Sequence, residues 1–463
     1  MELKFYNTLS KTKEVFEPIN KQEVKIYSCG PTVYKNATIG NMRTNIFQDV
    51  LRRVLRYNGY TLKHAMNITD VGHLVSDGDE GEDKMLKSAR EEKKTPMQIA
   101  EHYTQLFFED LKDLHIETPE IVCKATDHIK EMLAYVQKLM ENGYAYETST
   151  AIYFDVSKLD KYPILSNLEV ENQKAGARVE VDKEKKNPCD FALWIKAPEN
   201  HLMKWDSPWG PSYPGWHIEC SAMGQKYLGE QFDIHTGGID LIPTHHENEI
   251  AQSKGACGRI PANYWLHGEY LLINGGKMSK SLGNVYLLKD IKDRGYDPIV
   301  YKLFSYSCHY RNKLNFTWEG IEATAKSLER LRSSYQAHIQ GNDELTKQDR
   351  EKLVQVEENF HKAINDDLNM PLAMSFVWEL ARFEKRNKEV ANLLKKFDTV
   401  LGIRIDFENE KEQLPEEILQ IIEQRKQARQ RKDFGKSDEL RDELLKRGYT
   451  VKDTKNEMIV TKT

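Results

Sequence analysis

The spacing of apolar residues changes period along the first seventy positions. In VKIYSCGPTVY (24–34), Val24, Ile26 and Ser28 fall on one side of an alternating pattern that stops at Gly30-Pro31, which predicts a strand running into a loop. RTNIFQDVLRRVLRYNGY then places Ile46, Phe47, Val50, Leu51, Val54 and Leu55 at helical spacing and closes at Asn58-Gly59. TLKHAMNITDVGH reads as the next strand and loop. Strand, glycine-containing loop, helix and strand in this order predict the opening of an α/β nucleotide-binding fold.

Between about 115 and 205 the pattern changes. HIKEMLAYVQKLMENGYAYE predicts a helix ending at Asn142-Gly143, AIYFDV a short strand, and RVEVDKEKKNPCDFALWIK a charged stretch. This segment reads as an insertion between two halves of one nucleotide fold, which FDIHTGGIDL (232–241) resumes. Past about 320, Ile321, Ala325, Leu328 and Leu331 recur at helical spacing, and loop-like HIQGNDELTKQ and ENEKEQLPEE separate the helical blocks. The last block holds RKQARQRKDFGK (425–436), with six positive charges and one negative. It suits phosphate contacts or a solvated helix equally well.

The 463 residues suggest about three domains. Hydrophobic residues make up 39% and charged residues 30%, and the mean hydropathy is -0.67. No apolar run approaches the ~20 residues of a membrane helix, so no membrane association is expected. MELKFYNTLSKTKEVFEPINK lacks an apolar stretch after a basic start, which predicts a cytoplasmic protein. The six cysteines (Cys29, Cys123, Cys189, Cys220, Cys257 and Cys308) form no CxxC pair, which argues against a disulfide framework. Net charge is -5, so a nucleic-acid partner would need a local basic surface.

Two stretches carry candidate chemistry. In IPTHHENEIAQS (242–253), His245 and Glu249 share one face of a helix, whereas His246 and Glu247 point elsewhere. One imidazole and one carboxylate make half a zinc site, and the missing ligands are best supplied by thiolates. Cys29, ending the first strand, and Cys220, in HIECS, lie where strand ends and helix starts converge. A solvated first helical turn is the other reading of HHENE, and a core filler that of each cysteine. Neither HExxH nor HxxEH occurs, which sets aside a metallohydrolase. GGKMSKSLGN (275–284) offers glycines, two lysines and two serines, fit for wrapping phosphates or for a plain surface turn.

KMSKS (277–281) resembles the second signature of class I aminoacyl-tRNA synthetases, whose HIGH-like first signature matches TIGN (38–41). The surrounding CGPTVYKNATIGNMR is similar to cysteinyl-tRNA synthetases. NITD (67–70), DFALW (190–194), PGWHIECSAM (214–223), GGIDL (237–241), HHENEIAQS (245–253), WLHGEY (265–270), DDLNMPLA (366–373) and RKDFGKSDELRDEL (431–444) extend the resemblance, in order, over nearly the whole chain.

The resemblance implies a Rossmann-type parallel-sheet catalytic domain split by an insertion and followed by a helical C-terminal region. The implied parts are a first catalytic half (1–115), a connective insertion (116–205), a second half (206–265), a KMSKS-bearing stem-contact region (266–320), a helical tRNA-stem domain (321–405) and a small anticodon-binding domain (406–463). It implies ATP-dependent activation of L-cysteine to the adenylate with pyrophosphate release, then transfer to the 3′ end of tRNA(Cys), by a monomer. One Zn2+ per chain on Cys29, Cys220, His245 and Glu249 would select the thiol, and ATP would come with Mg2+. Sorting cysteine from serine by size alone yields only about 1–3 kcal/mol, whereas zinc prefers a soft thiolate.

The family also implies roles for single residues. Lys280 would contact the phosphates, with Lys277, Ser279 and Ser281 supporting the loop. Gly40 and Asn41 would lie beneath ATP, and Gly238 and Asp240 at the ribose, with a turn residue the competing reading of Asp240. Trp216 would wall the cysteine pocket or sit in the core. The sequence departs from the family at position 38, where threonine replaces histidine and can donate a hydrogen bond but carry no charge. Two rivals stand: a cysteine ligase with a non-tRNA amine acceptor, which would lack the C-terminal part, and a non-catalytic tRNA-binding paralogue. Thr38 favours the second; intact KMSKS and the four ligand candidates oppose it.

Overall fold

Val24 and Ile26 on one side and Tyr27 on the other are all buried, as expected for a strand covered on both faces. In the computed structural model, which describes residues 1–72, 84–166, 183–199, 201–279, 282–407, 415–431, 433–453 and 458–462, this strand, Glu23–Ser28, is the middle of a five-stranded parallel sheet. The order across the sheet is Ala262–Gly268, Phe232–Gly238, Glu23–Ser28, Thr61–Ile68 and Ile121–Lys124. Within this sheet the three strands earliest in the chain run outward one way from Glu23–Ser28, and the last two run the other way. The loops leaving Glu23–Ser28 and Phe232–Gly238 therefore diverge and open a crevice at their C-terminal ends.

The helix Ile39–Tyr57 covers one face. Leu51, Val54 and Leu55 are fully buried, each contributing about 1.5–3 kcal/mol. It stops at Asn58, and Gly59 takes φ +87°, a conformation that suits glycine. The helix Ile218–Leu228 covers the other face, where Ile218, Met223 and Leu228 join Tyr27 in a second core.

Strands Ala145–Glu147, Ala151–Phe154, Phe191–Lys196 and Ser212–Pro214 form the antiparallel sheet of the insertion. Its limits differ from residues 116–205 at both ends. Ile121–Lys124 is the edge strand of the central sheet, and Ser212–Pro214 lies beyond 205. Strands of three and four residues are too short to show a period. Residues 167–182, including part of the charged stretch, lie outside the described residues.

A small sheet, Gly276–Lys277, Leu271–Ile273 and Leu314–Phe316, follows. Helices Trp318–Gln340, Lys347–Asn365, Met370–Ala381 and Lys388–Leu401 come next, with Phe360 stacked on Phe397 at 3.7 Å. The first of these runs through His338-Ile339-Gln340, read above as loop; His338 is buried, with its Nε2 2.9 Å from Arg386 Nη1. A buried ion cluster ties the helix Ile39–Tyr57 to the helix Ile299–Ser305. Asp49 Oδ2 accepts from Lys302 Nζ and Arg53 Nε, both at 2.7 Å. Burial works against the Asp49 carboxylate, but the two cations hold its pKa below the usual range.

The chain divides into two compact units, residues 1–405 and 406–463. The second has its own core of Ile418, Ile421, Ile422, Leu440, Leu444 and Tyr449, between helices Glu416–Gln430 and Phe434–Lys446 and the hairpin Tyr449–Asp453/Met458–Lys462. Most of ENEKEQLPEE lies outside the described residues. Among the described residues no helix is long and apolar enough to cross a membrane.

Candidate active site and metal centre

A cleft of about 320 Å³ occupies the crevice. It is lined by Cys29, Cys220, His245 and Trp216, by Thr38 and Asn41, and by Gly238 and Asp240. Three local structures place the first group. Cys29 follows the strand Glu23–Ser28 and donates its amide to Thr236 O at 3.2 Å. Cys220 sits in the first turn of Ile218–Leu228. His245 and Glu249 are brought together where the wide helical turn Ile242–His246 passes into Glu247–Cys257.

The four side chains converge. One ligand atom from each of Cys29, Cys220, His245 and Glu249 lies within 4.8 Å of all the others. The two Sγ atoms are 3.9 Å apart, His245 Nε2 is 3.4 Å from Cys220 Sγ, and Glu249 Oε1 is 3.1 Å from His245 Nε2 and 3.9 Å from Cys29 Sγ. Zinc–sulfur bonds of about 2.3 Å at tetrahedral angles give a sulfur–sulfur edge of about 3.8 Å, so the donors are spaced as the corners of a zinc site. Cys220, His245 and Glu249 are buried and Cys29 half-buried toward the cleft.

Charge and burial also fit a soft dication. Burial pushes the Cys29 thiol up to about 11 and raises Cys220 as well, the neighbouring thiol adding to the effect there. Burial also opposes ionisation of Glu249, but His235 and His245 outweigh it and bring its carboxyl to about 2. Two buried thiols beside an ionised carboxylate are a donor set that a dication would ionise on binding.

A floor of histidines lies beneath, and the sequence reading missed it. His246 was expected to point away, yet its Nε2 is 3.2 Å from Cys29 Sγ and its Nδ1 2.7 Å from His267 Nε2. The cause is the π-helical Ile242–His246, whose wider turn rotates successive side chains less than an α-helix does. His235 Nε2 meets the second carboxylate oxygen of Glu249 at 2.8 Å and so orients that carboxylate. His217 Nδ1 lies 3.2 Å from His245 Nδ1. Cys29, His235, His246 and Glu249 form a second, overlapping set of clustered donors. Glu247 does point elsewhere, accepting the amides of Leu165 and Ser166 at 2.8 Å.

Thr38, also on the cleft, is the N-cap of Ile39–Tyr57. Asn41 N donates to Thr38 Oγ1 at 3.3 Å, while Thr38 N and Oγ1 both donate to Asn41 Oδ1, at 2.9 and 2.8 Å. The threonine hydroxyl proton is thus committed to the cap. The second signature packs alongside. A side chain at Gly40 would come within 2.9 Å of Met278 Cε, and Ile39 N donates to Tyr286 O at 2.9 Å. Arg43 fixes this arrangement by donating to the carbonyls of Glu269 and Tyr270 at 2.7 and 2.6 Å. Asn284, to which the sequence reading gave no role, accepts from Ser279 N at 2.8 Å and donates to Lys277 O at 3.0 Å, closing the KMSKS turn.

Lys277 and Ser279 stand in this loop and do not line the cleft; Lys280 and Ser281 lie outside the described residues. Trp216 is half-buried, its ring 4.5 Å from that of His245, so it faces both cleft and cluster. In the basic stretch, Arg425 is buried with its Nε on Ser437 O at 3.3 Å and is not placed to meet phosphate. Lys426, Arg429 and Arg431 are exposed.

Comparison with known proteins agrees with this arrangement. The catalytic-domain model of class I (C) tRNA synthetases matches residues 15–326, and the cysteinyl-tRNA ligase anticodon-binding domain matches 411–459. Among solved structures, Mycobacterium tuberculosis methionyl-tRNA synthetase in complex with methionyl-adenylate shares the fold, with a TM-score of 0.56 at 14% identity over 82% of this chain and 90% of that one. The chain is therefore an enzyme of the class I aminoacyl-tRNA synthetases. Cysteine--tRNA ligase of Treponema denticola is 44% identical over 98% of both chains. Cysteine--tRNA ligase 1 of Burkholderia lata is 43% identical over 98% of this chain and 96% of its own. Within the class, the chain belongs to the cysteinyl-tRNA synthetase family.

Proposed function

We propose that the chain is a cysteine--tRNA ligase, which activates L-cysteine with ATP and transfers it to the 3′ end of tRNA(Cys). The observation that carries this reading is the Cys29–Cys220–His245–Glu249 cluster, whose Cys29, Cys220 and His245 line the same cleft as Thr38 and Asn41 of the first class I signature. Cys29, Cys220, His245 and Glu249 would hold one Zn2+, which when bound supplies a soft Lewis acid that favours a thiolate over a hydroxyl.

The residues of the chain do the rest. Trp216 walls the cysteine side chain at the cluster end, and His235 keeps the Glu249 carboxylate in place. Gly238 and Asp240 meet the ribose. The helix Ile39–Tyr57 turns its N-terminal, positive end toward the cleft, where charge grows on the α-phosphate under attack by the cysteine carboxylate. Asn284 ties Lys277 to Ser279; Lys280 contacts the phosphates of ATP, which comes with Mg2+, and Lys277, Ser279 and Ser281 support the loop. Thr38 serves as a cap, with Asn41, and not as a charge. The anticodon-domain match at 411–459 favours tRNA over a small amine acceptor, and the exposed Lys426, Arg429 and Arg431 suit its phosphates. We further propose that the enzyme is a cytoplasmic monomer.

The test is charging of a tRNA(Cys) transcript by zinc-loaded protein with ATP. Cysteine should be attached and serine should not. Absence of charging with cysteine-dependent pyrophosphate exchange intact would point to another acceptor; absence of both would point to a non-catalytic paralogue.

A further inference from the structure

Glu247 stands in the chain between the two donors His245 and Glu249, yet it belongs neither to the lining of the cleft nor to the donor cluster. It is fully buried, and its carboxylate faces the insertion. Leu165 N and Ser166 N donate to Oε2, both at 2.8 Å, and Ile164 N donates to Oε1. Successive backbone N–H groups of this kind form a concave cup for an anionic group. An ionised carboxylate only accepts, so it satisfies all three amides, whereas the side chain of a glutamine would turn N–H against N–H. Asn248, the next residue, accepts from Tyr162 OH at 2.7 Å.

The cup is itself fixed. Leu165 is buried in the second core, together with Ile218 and Met223 of the helix that carries Cys220. Residues 162–166 therefore hold Glu247 in place and do not follow it. The far end of the helix Glu247–Cys257 is fastened to the insertion as well: Asn142 Nδ2 donates to the carbonyls of Gly255 and Ala256, at 2.8 and 3.3 Å.

The position of the anchor gives it a function. Glu247 is the first residue of the α-helix and directly follows the π-helical turn Ile242–His246. π-turns are rare, and the α-helical turn is the default for the same chain. Relaxation to the default would rotate His245 and His246 relative to Glu249. His245 Nε2 would then leave its 3.1 Å approach to Glu249 Oε1 and its 3.4 Å approach to Cys220 Sγ. We infer that Glu247 is a positioning residue of the proposed metal centre: clamped on the amides of residues 164–166, it pins the junction between the π-turn and the helix and so holds His245 and Glu249 at ligand spacing. The insertion thereby forms part of the support of the metal centre. This inference rests on the proposed zinc site.

The experiment compares wild type, E247Q, E247D and N142A. Zinc affinity is measured by competition with a chelator, coordination geometry by the visible ligand-field bands of the cobalt(II)-substituted proteins, and stability by thermal unfolding of the metal-free proteins. E247D keeps the charge and draws the carboxylate back by one methylene, so it serves where E247Q does not fold. Both Glu247 variants should bind zinc about tenfold more weakly, as expected when the support of a ligand is removed, and should shift the cobalt bands. N142A should unfold at a lower temperature with zinc affinity and cobalt bands at their wild-type values, which separates loss of stability from loss of position. Wild-type zinc affinity and cobalt bands in a folded E247Q or E247D overturn the inference, and so does an equal loss of affinity in N142A. A wild type that binds neither metal removes the zinc reading itself, a result distinct from variants that bind as the wild type does.

Discussion

The environment of Cys29 illustrates how a candidate ligand side chain is held by atoms outside the donor cluster. Gly30, the next residue, donates its amide to Asn67 Oδ1 at 2.8 Å, and a β-carbon on it would come within 1.7 Å of the Asn67 carbonyl oxygen. Backbone atoms cannot yield there, so G30A must shift the loop that carries Cys29. It should cost about 2–4 kcal/mol of stability and lower the zinc content, measured by thermal unfolding and metal analysis. The four donors that cluster could be singled out in the sequence because they sit in distinctive strings. The histidine floor was not. His235, His246 and His267 lie far apart in the chain, and the turn that brings His246 round is π-helical, which an α-helical wheel does not reproduce. Asn284 was equally hidden, since its function is a pair of backbone hydrogen bonds within one turn.

Elements behave similarly: long periodic ones were legible and short or capped ones were not. Ile39–Tyr57 followed from its apolar stripe, but the pattern did not reveal that the signature tetrapeptide supplies its cap and first turn. Edge strands of three and four residues blurred the limits of the insertion. The helix Pro96–Asp113 carries a testable electrostatic cost at its C-terminal end, where negative charge meets the negative end of the dipole. Burial, with added repulsion from Asp113 and Glu109 and partial relief from Lys292, raises the Asp110 carboxyl to about 6 from the usual 3.8. The folded state therefore holds a proton that the unfolded state releases across that window, and stability falls as pH rises through it. D110N should be more stable than wild type by about 1 kcal/mol near about pH 7.5, after allowance for solvent screening, and no more stable near about pH 4. Thermal unfolding at the two pH values measures this.

At the scale of the whole molecule, the chain divides into two compact units, and the proposed function gives them separable tasks. All the residues of the cleft, the donor cluster and the described KMSKS turn belong to residues 1–405, and the match to the anticodon-binding domain belongs to the unit 406–463. A chain ending at 405 should keep cysteine-dependent pyrophosphate exchange within about threefold of the full chain and lose at least about tenfold in charging of tRNA(Cys), because the tRNA contacts proposed for the second unit would go with it. Parallel exchange and charging assays decide this.

The central claim is that a metal held by Cys29, Cys220, His245 and Glu249 recognises the substrate thiol itself. Cobalt(II)-substituted protein, titrated with L-cysteine and separately with L-serine while sulfur-to-cobalt absorption is followed, tests it most directly. The band should grow with cysteine, stay unchanged with serine, and be lost with the metal in C220S. An unchanged spectrum on adding cysteine, or the same change with serine, would contradict it.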